Sequence, residues 1–291
     1  MDITAQIEMI SFVMLAAAML ALYTPYRSVA FGLLSVSVMA ALYTGVVMGI
    51  GVVSATALAV LCYFTASTGD GQHRRSHSVF LAGVIIVSLL MALHLIPGFQ
   101  RVPIVSNVLL SPQAIPFTLA LGYDKALAGT LLVLFLVQVA RTKDRWRKTV
   151  GATLRASMLT LACIIPLGLL LGIFTFDAKL SSYLGVWVFS SLFITAIAEE
   201  AFFRRLLQEN LAAYLTGKVN HAAGWAILVV AIMFSLAHAG GGLGYAVLVF
   251  FAGCGYGLAY KWGGGLEAAV GTHFIVNLVH FLFFTYPMLA R

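Results

Sequence analysis

Two adjacent glutamates, Glu199 and Glu200, follow a long apolar run from Leu184 to Ala198 and are the strongest candidates for chemistry in this sequence. Only 10 of the 291 residues are Asp or Glu. A charge at membrane depth costs several kcal/mol unless another group pairs with it or uses it. On a helix, Arg204 lies one turn beyond Glu200 and can pair with it, whereas Glu199 points about 100° away. We therefore predict a supporting Glu200–Arg204 pair and a desolvated Glu199 without a counter-ion, suited to act as a general base.

Two histidine motifs downstream place further polar groups inside apolar segments. His238 ends an apolar run with the sequence FSLAH, directly before a cluster of glycines. His273 and Asn277 lie four residues apart, and His280 follows after three more, so all three share one face of the last apolar segment. For His280, and for the isolated His94, packing or a hydrogen bond is the favoured interpretation.

A carboxylate and imidazoles converging inside a helical bundle suit two chemistries. In the first, Glu199 and His238 activate a water molecule, while His273 and Asn277 donate hydrogen bonds to an oxyanion. In the second, Glu199, His238 and His273 hold a zinc ion that activates the water. The spacing does not choose between them, although the sequence has no HExxH, which removes the most familiar zinc-hydrolase arrangement.

The composition predicts the elements that must position these side chains. The chain is 62% hydrophobic and 9% charged, with a mean hydropathy of +1.01, whereas soluble domains carry roughly 25% charged residues. A membrane-crossing helix takes roughly 20 residues. We predict an all-α, polytopic integral membrane helical bundle with about 8–10 transmembrane helices, folded as one membrane domain over residues 1–291. The apolar segments run near 8–24, 28–44, 46–66, 79–96, 118–140, 153–175, 182–213, 221–238, 242–260 and 265–286.

The charge and cysteine content exclude other classes of protein. The net charge is +7, but the basic residues cluster in short connections near 73–77 and 141–148, where they orient the chain and meet anionic lipid headgroups. A nucleic-acid partner is therefore not expected, since no exposed basic helix is available. Cys62, Cys163 and Cys254 are far apart without CxxC spacing, which argues against disulfides and thiolate metal sites and predicts three buried cysteines.

The seventh segment, 182–213, is too long for one crossing. Simple alternating crossings would also place Glu199 and His238 at different depths. We therefore expect this segment to be broken or tilted near Glu199.

Two smaller patterns predict local contacts. Gly253 and Gly257 have the small-xxx-small spacing that permits close approach of helices, most simply within one bundle. Asp124 and Lys125, adjacent near the start of the fifth segment, are expected to pair with each other.

The motifs EExxxR, FxxxH and HxxxN occur in this order over about 80 residues and lie inside apolar segments. This set resembles the CPBP (ABI) family, which includes the type II CAAX prenyl proteases and bacteriocin-processing intramembrane enzymes. The resemblance covers roughly residues 185–283, the expected catalytic core, and leaves 1–180 as additional transmembrane helices. One departure is Arg205, where many bacterial relatives have glycine.

The resemblance implies a role for each motif residue. Glu199 and His238 would activate the water, Glu200 and Arg204 would support the site, and the oxyanion site would consist of His273 and Asn277. The family is multi-pass and helical, with its site in a cavity inside the bundle. Its metal-free mechanism is favoured here, so no cofactor is expected, with zinc bound by Glu199, His238 and His273 as the alternative.

The predicted function is that of an intramembrane endopeptidase that hydrolyses a peptide bond near the membrane interface. Expected substrates are a CAAX-like prenylated C-terminus, a leader peptide or a membrane protein, so partners are peptides, with or without a lipid group, and membrane lipids. The expected location is the cell membrane, most simply the bacterial inner membrane. The alternatives are a proton- or cation-coupled transporter using the same residues and a scaffold that does not use the site.

Overall fold

The computed structural model describes residues 3–68 and 74–290, and its secondary structure is almost entirely helical. His73, part of the basic connection near 73–77, lies outside the described residues. The first half contains α1 (Ile3–Ala21), α2 (Arg27–Tyr43), α3 (Gly49–Ser67), α4 (Arg74–Ala92), β1 (Arg101–Val108), β2 (Phe117–Gly122), α5 (Tyr123–Leu136) and α6 (Lys143–Leu170). The second half contains α7 (Leu184–Phe189), α8 (Ile197–Glu200), α9 (Glu209–Leu215), α10 (Ala222–Ala237), α11 (Leu243–Gly263) and α12 (Leu266–Phe283).

The predicted all-α polytopic architecture is confirmed. All ten predicted segments are helical over most of their length, and most ends differ by five residues or fewer. Helix α6 begins at Lys143, ten residues before the predicted start, and the beginning of the predicted segment 118–140 belongs to β2. Seven helices in the described part of the chain are long and apolar enough to cross a membrane, and two apolar helices, α2 and α10, are shorter. Large apolar side chains that are mostly exposed recur along these helices, such as Val53, Val79 and Met158. Such side chains are expected where a helix faces lipid.

A β-hairpin begins in the connection 97–117, where three prolines, Pro103, Pro112 and Pro116, favour a loop. Strands β1 and β2 form a two-stranded sheet. Near the end of β1, Asn107 has a φ of 54°, and its backbone N–H donates to the Thr118 hydroxyl on β2 at 3.2 Å. Pro103 lies within β1, which is possible because both strands of a two-stranded sheet are edge strands.

The chain forms two compact units, each assembled from separate stretches of sequence. The first unit comprises residues 1–103, 120–141 and 193–202, and the second comprises 104–119, 142–192 and 203–291. The single membrane domain over 1–291, with its catalytic core at 185–283, stays a prediction.

The first unit is held together around the start of α5. The Ser37 hydroxyl donates to the backbone carbonyl of Ser11 at 2.6 Å, so the Tyr123 hydroxyl donates to Ser37, also at 2.6 Å. The ring of Phe12 packs edge-on against Tyr123 with ring centroids 5.5 Å apart. Helices α1 and α2 therefore meet α5 through a fully buried hydrogen-bonded contact.

The second unit packs three helices against glycines on α11, as the small-xxx-small spacing predicted. A Cβ atom built on Gly253 would lie 3.3 Å from Ala231 on α10, and one built on Gly257 would lie 2.7 Å from the Gln208 side chain. At Gly255 the added atom would lie only 1.9 Å from the Thr160 hydroxyl on α6. The close approach thus occurs within one chain.

The three cysteines are free, as expected, but only Cys62 is fully buried. Cys254 is half-buried and Cys163 is exposed. The prediction that all three are buried is therefore wrong for these two. The apolar sequence around Cys163 indicates a membrane helix but does not tell which face points away from the protein.

Candidate active site

Glu199 and Glu200 lie where the regular helical geometry changes. They end the four-residue helix α8, which is flanked by two π-helical stretches, Ser190–Ala196 and Ala201–Gln208. The helix nevertheless runs without a gap from Leu184 to Leu215. The expected break is therefore a change of helical pitch rather than an interruption. π-Helical turns are rare and are often found at functional sites, because the wider turn rotates the following side chains.

In the first unit, Glu199 has a counter-ion. The Lys125 ammonium donates to the Glu199 Oε1 atom at 2.6 Å, and the two side chains are only 19% and 12% exposed. The prediction that Glu199 lacks a counter-ion is therefore wrong. It failed because Lys125 lies 74 residues away in sequence, so helical spacing could not reveal the contact.

Two further contacts position this pair. A Cβ atom on Gly129 would lie 2.7 Å from the Ala198 Cα atom, so glycine lets α5 approach α8 beside Glu199. At the start of α5, the Asp124 carboxylate accepts the Lys125 backbone N–H at 2.8 Å. The Asp124 side chain itself pairs with His94 Nδ1, also at 2.8 Å.

The predicted local ion pair between Asp124 and Lys125 is therefore wrong, because each side chain has a partner on another helix or loop. The interpretation of His94 as a hydrogen-bonding residue is confirmed. Gly122 leaves the space that His94 needs, since a Cβ there would lie 2.4 Å from its ring.

Glu200 is fully buried in the first unit. In the second unit Arg204 is fully buried too, and its Nη1 donates to the Gln208 side-chain oxygen at 3.2 Å. The Gln208 amide in turn donates to the Gly257 carbonyl on α11 at 3.1 Å. These bonds fix the guanidinium in the second unit. The predicted ion pair between Glu200 and Arg204 stays a prediction.

The aromatic ring of Phe234 contacts three of the predicted site residues of the second unit. The ring centroid lies 4.6 Å from that of His238 and 6.1 Å from that of His273, and the Arg204 guanidinium carbon lies 5.6 Å above it. Tyr256 also meets Phe234 edge-on at 6.0 Å. The FxxxH motif contained this phenylalanine, but the sequence did not reveal its role as the shared contact.

His238 follows the last residue of α10 and has a defined orientation. Its Nδ1 lies 2.8 Å from the Phe234 backbone carbonyl. Because a carbonyl oxygen can only accept, Nδ1 carries the proton. In the neutral ring the lone pair is then on Nε2, which can accept a hydrogen bond from water.

His273 is 4% exposed, and its ring stacks on Tyr256 with centroids 4.5 Å apart and planes inclined by 12°. Asn277 lies one turn further along α12 and is half-buried. His280 contacts the rings of Phe174 and Tyr286 instead, at centroid distances of 5.0 Å and 5.3 Å. The prediction that His280 is a packing residue is confirmed.

Neither unit, over its described residues, contains a group of three or more His, Cys, Asp or Glu side chains placed to hold a metal ion. The alternative zinc set, Glu199, His238 and His273, draws on both units and stays a prediction.

The family comparison bears on the stretch that contains these residues. A family profile matches residues 181–279. The matched family is that of the Rce1-like type II CAAX prenyl endopeptidases. This match confirms the resemblance inferred from the motifs and supports the general activity of a CAAX-type intramembrane endopeptidase. Together with the seven apolar helices of the described residues, it points to a multi-pass membrane protein. Comparisons with curated proteins and with solved structures give no match.

Every predicted site residue lies within the matched stretch, but Lys125 lies outside it. The chemistry-bearing residue types were recognisable from the sequence. Lys125 was not, because a lysine near a helix start has no motif that would link it to a distant acid.

Proposed function

We propose that this protein is a glutamate-dependent, metal-free intramembrane endopeptidase located in the cell membrane. The observation that carries the proposal is a largely buried Glu199 carboxylate, flanked by π-helical stretches, inside the stretch that matches the CAAX endopeptidase family. A carboxyl group must be ionised to accept a proton from water, and a neighbouring ammonium favours the ionised form.

In the proposed reaction, Glu199 removes one proton from a water molecule. The other O–H group of this water donates a hydrogen bond to His238 Nε2. The resulting hydroxide adds to the carbonyl carbon of the scissile peptide and forms a tetrahedral intermediate. When the C–N bond breaks, protonated Glu199 returns its proton to the leaving amine. The new carboxylic acid then loses its proton to the amine, so the products are a carboxylate and an ammonium group, and one water is consumed.

His273 and Asn277 would donate hydrogen bonds to the oxyanion. They lie one helical turn apart on α12, about 6 Å along the axis. The stack on Tyr256 restricts the His273 ring to one plane, so the donor is oriented before the substrate binds. Removing one such donor typically costs about 10²–10³ in kcat.

The proposed substrates are peptides at the membrane interface: a prenylated CAAX-like C-terminus, a leader peptide or a membrane-protein segment. The test uses the full chain in proteoliposomes with three fluorescence-quenched probes. These are a farnesylated CAAX peptide, the same peptide without the farnesyl group, and a peptide with a single apolar segment. We expect wild-type protein to cleave at least one of them.

Glu199→Gln is expected to abolish that cleavage while the protein still inserts and folds. The matched control is Glu209→Gln, the same change one π-helical stretch further along, at an acid whose side chain is 47% exposed. This variant should cleave at the wild-type rate. Cleavage that persists in Glu199→Gln would overturn the assignment of the base, and no cleavage of any probe by the wild type would overturn the proposed activity.

Metal independence is tested separately. Purified protein should contain no stoichiometric zinc and should keep full activity in a strong chelator. Loss of activity that returns when zinc is added would favour the alternative with zinc held by Glu199, His238 and His273.

A further inference from the structure

Lys125 lies outside the stretch that matches the endopeptidase family, yet it makes the shortest described contact to the proposed base. Its ammonium donates to Glu199 Oε1 at 2.6 Å, and both side chains are largely shielded from solvent. A charge-assisted hydrogen bond of this length is among the strong side-chain interactions in proteins.

The backbone of Lys125 is fixed at the start of α5. The residue before it, Asp124, accepts its backbone N–H and is itself bound to His94. The Lys125 ammonium is therefore presented to Glu199 from a turn that Asp124 ties to another part of the same unit.

Helix α5, which carries Lys125, also positions the helix that carries Glu199. Gly129, one turn beyond Lys125 on α5, permits contact with the Ala198 backbone beside the acid. Because α5 fixes both the backbone next to Glu199 and the partner of its side chain, the orientation of the carboxylate depends on α5.

We infer that Lys125 is a positioning residue for the general base: it keeps Glu199 ionised and turns its carboxylate toward the substrate water. This inference rests on the proposed function. One carboxylate offers about four lone-pair sites, and the bond to Lys125 uses one of them. Without the nearby cation, a carboxylate shielded from solvent favours its neutral, protonated form, which cannot act as a base.

The test compares Lys125→Met, which keeps the length of the side chain but removes the charge, with Lys125→Arg, which keeps the charge. In proteoliposomes with the probe that the wild type cleaves, Lys125→Met should lower kcat about tenfold to a hundredfold. KM should stay unchanged, since Lys125 does not bind the substrate in this scheme. Lys125→Arg should recover most of the lost kcat.

Tyr123→Phe is the matched control, because it removes a buried polar contact of the same helical turn that does not involve Glu199. It should lower the unfolding temperature and leave kcat within about twofold of wild type, since its effect is on packing alone. A fall of kcat in Tyr123→Phe equal to that in Lys125→Met would overturn the proposal, because any loosening of α5 would then suffice.

A second measurement does not depend on cleavage. Infrared spectra of the vesicle-embedded protein at neutral pH should show no protonated Glu199 in wild type. A protonated carboxyl band should appear in Lys125→Met and disappear in the double variant Lys125→Met/Glu199→Gln. Wild-type kcat together with an ionised Glu199 in Lys125→Met would overturn the role of Lys125 and leave Glu199 as the base. Cleavage by Glu199→Gln would instead overturn the proposed function itself.

Discussion

The polar side chains discussed above have different kinds of partner in the two units. In the first unit, acidic side chains meet a nitrogen-bearing side chain directly, as Glu199 does with the Lys125 ammonium and Asp124 with the His94 ring. In the second unit, the predicted site residues Arg204, His238 and His273 all contact the ring of Phe234.

This difference has consequences for how each unit responds to substitution. Removing one member of a shielded ion pair leaves an uncompensated charge, so the loss of stability is large and depends strongly on which charged group is removed. An aromatic contact contributes about 0.5–1.5 kcal/mol beyond its buried area, so losses in the second unit should add up over several contacts. The first unit is suited to setting a charge state, and the second to orienting hydrogen-bond donors and acceptors.

The largest effect is expected from the shared ring of the second unit. Phe234→Ala should lower the free energy of unfolding by about 3–5 kcal/mol, because it removes a buried ring and leaves a cavity. It should also abolish cleavage, since both histidines and Arg204 lose a common contact. The control is Phe251→Ala on α11, whose ring is 38% exposed. Thermal unfolding in detergent and the cleavage assay measure both effects, and near-wild-type activity in Phe234→Ala would contradict the shared-contact interpretation.

Gly129→Ala tests the close approach of α5 to α8 in the first unit. The added methyl group would lie 2.7 Å from the Ala198 backbone, which cannot move aside as a flexible side chain can. Overpacking of this kind costs about 1–3 kcal/mol. Cleavage should fall more than stability does, because the shift displaces Glu199. In Gly255→Ala the added methyl group would meet the Thr160 side chain instead. This variant should also lower stability, but for the same loss of stability it should lose less cleavage activity than Gly129→Ala.

A double-mutant cycle on Lys125 and Glu199 tests whether the first unit depends on a true ion pair. Lys125→Met and Glu199→Gln should each destabilise the protein, and the double variant should be less destabilised than the sum by about 0.5–3 kcal/mol. Chemical denaturation of the three variants in the same detergent provides the comparison. Strict additivity would mean that the two charges do not stabilise each other.

The smallest effect is expected from the contact between Asp177 and Lys179, which lies in a connection between helices of the second unit. The Ser111 hydroxyl bonds to Asp177 and, together with the nearby Lys179 ammonium, holds the pKa of that carboxyl below its ordinary value despite opposing burial. The Lys179 side chain also joins this loop to the Phe284 carbonyl after α12.

Because the folded-state pKa of Asp177 is depressed, its contribution to stability is present above the ordinary aspartate range and is lost as the pH falls through the folded value. The unfolding temperature should therefore decrease below about pH 4, and Asp177→Asn should show a smaller decrease. Ser111→Ala should also weaken the pH dependence, because it removes the main cause of the shift. An Asp177→Asn variant with the wild-type pH profile would contradict this assignment.

Much of the fold and the types of the site residues could be predicted from local sequence. Hydropathy located all ten helical segments, because a helix in lipid must be apolar over roughly 20 residues wherever it lies in the chain. The β-hairpin was missed because Pro103 and its neighbours suggest a loop, whereas a two-stranded sheet tolerates proline at its edges. The motifs identified Glu199, His238, His273 and Asn277 as the candidate residues.

The sequence by itself determined the class of protein, the course of the helices and the residues that could carry chemistry, because each of these depends on composition or on spacing along one helix. Only the tertiary structure decided which side chains are partners. Lys125 reaches Glu199 across 74 residues, and Phe234 joins residues from three helical segments. Such contacts depend on how helices pack, which is set by glycines and side-chain volumes throughout the chain, so no local pattern contains them. Glu199, for which spacing along the helix offered no counter-ion, therefore has a cation of its own in Lys125.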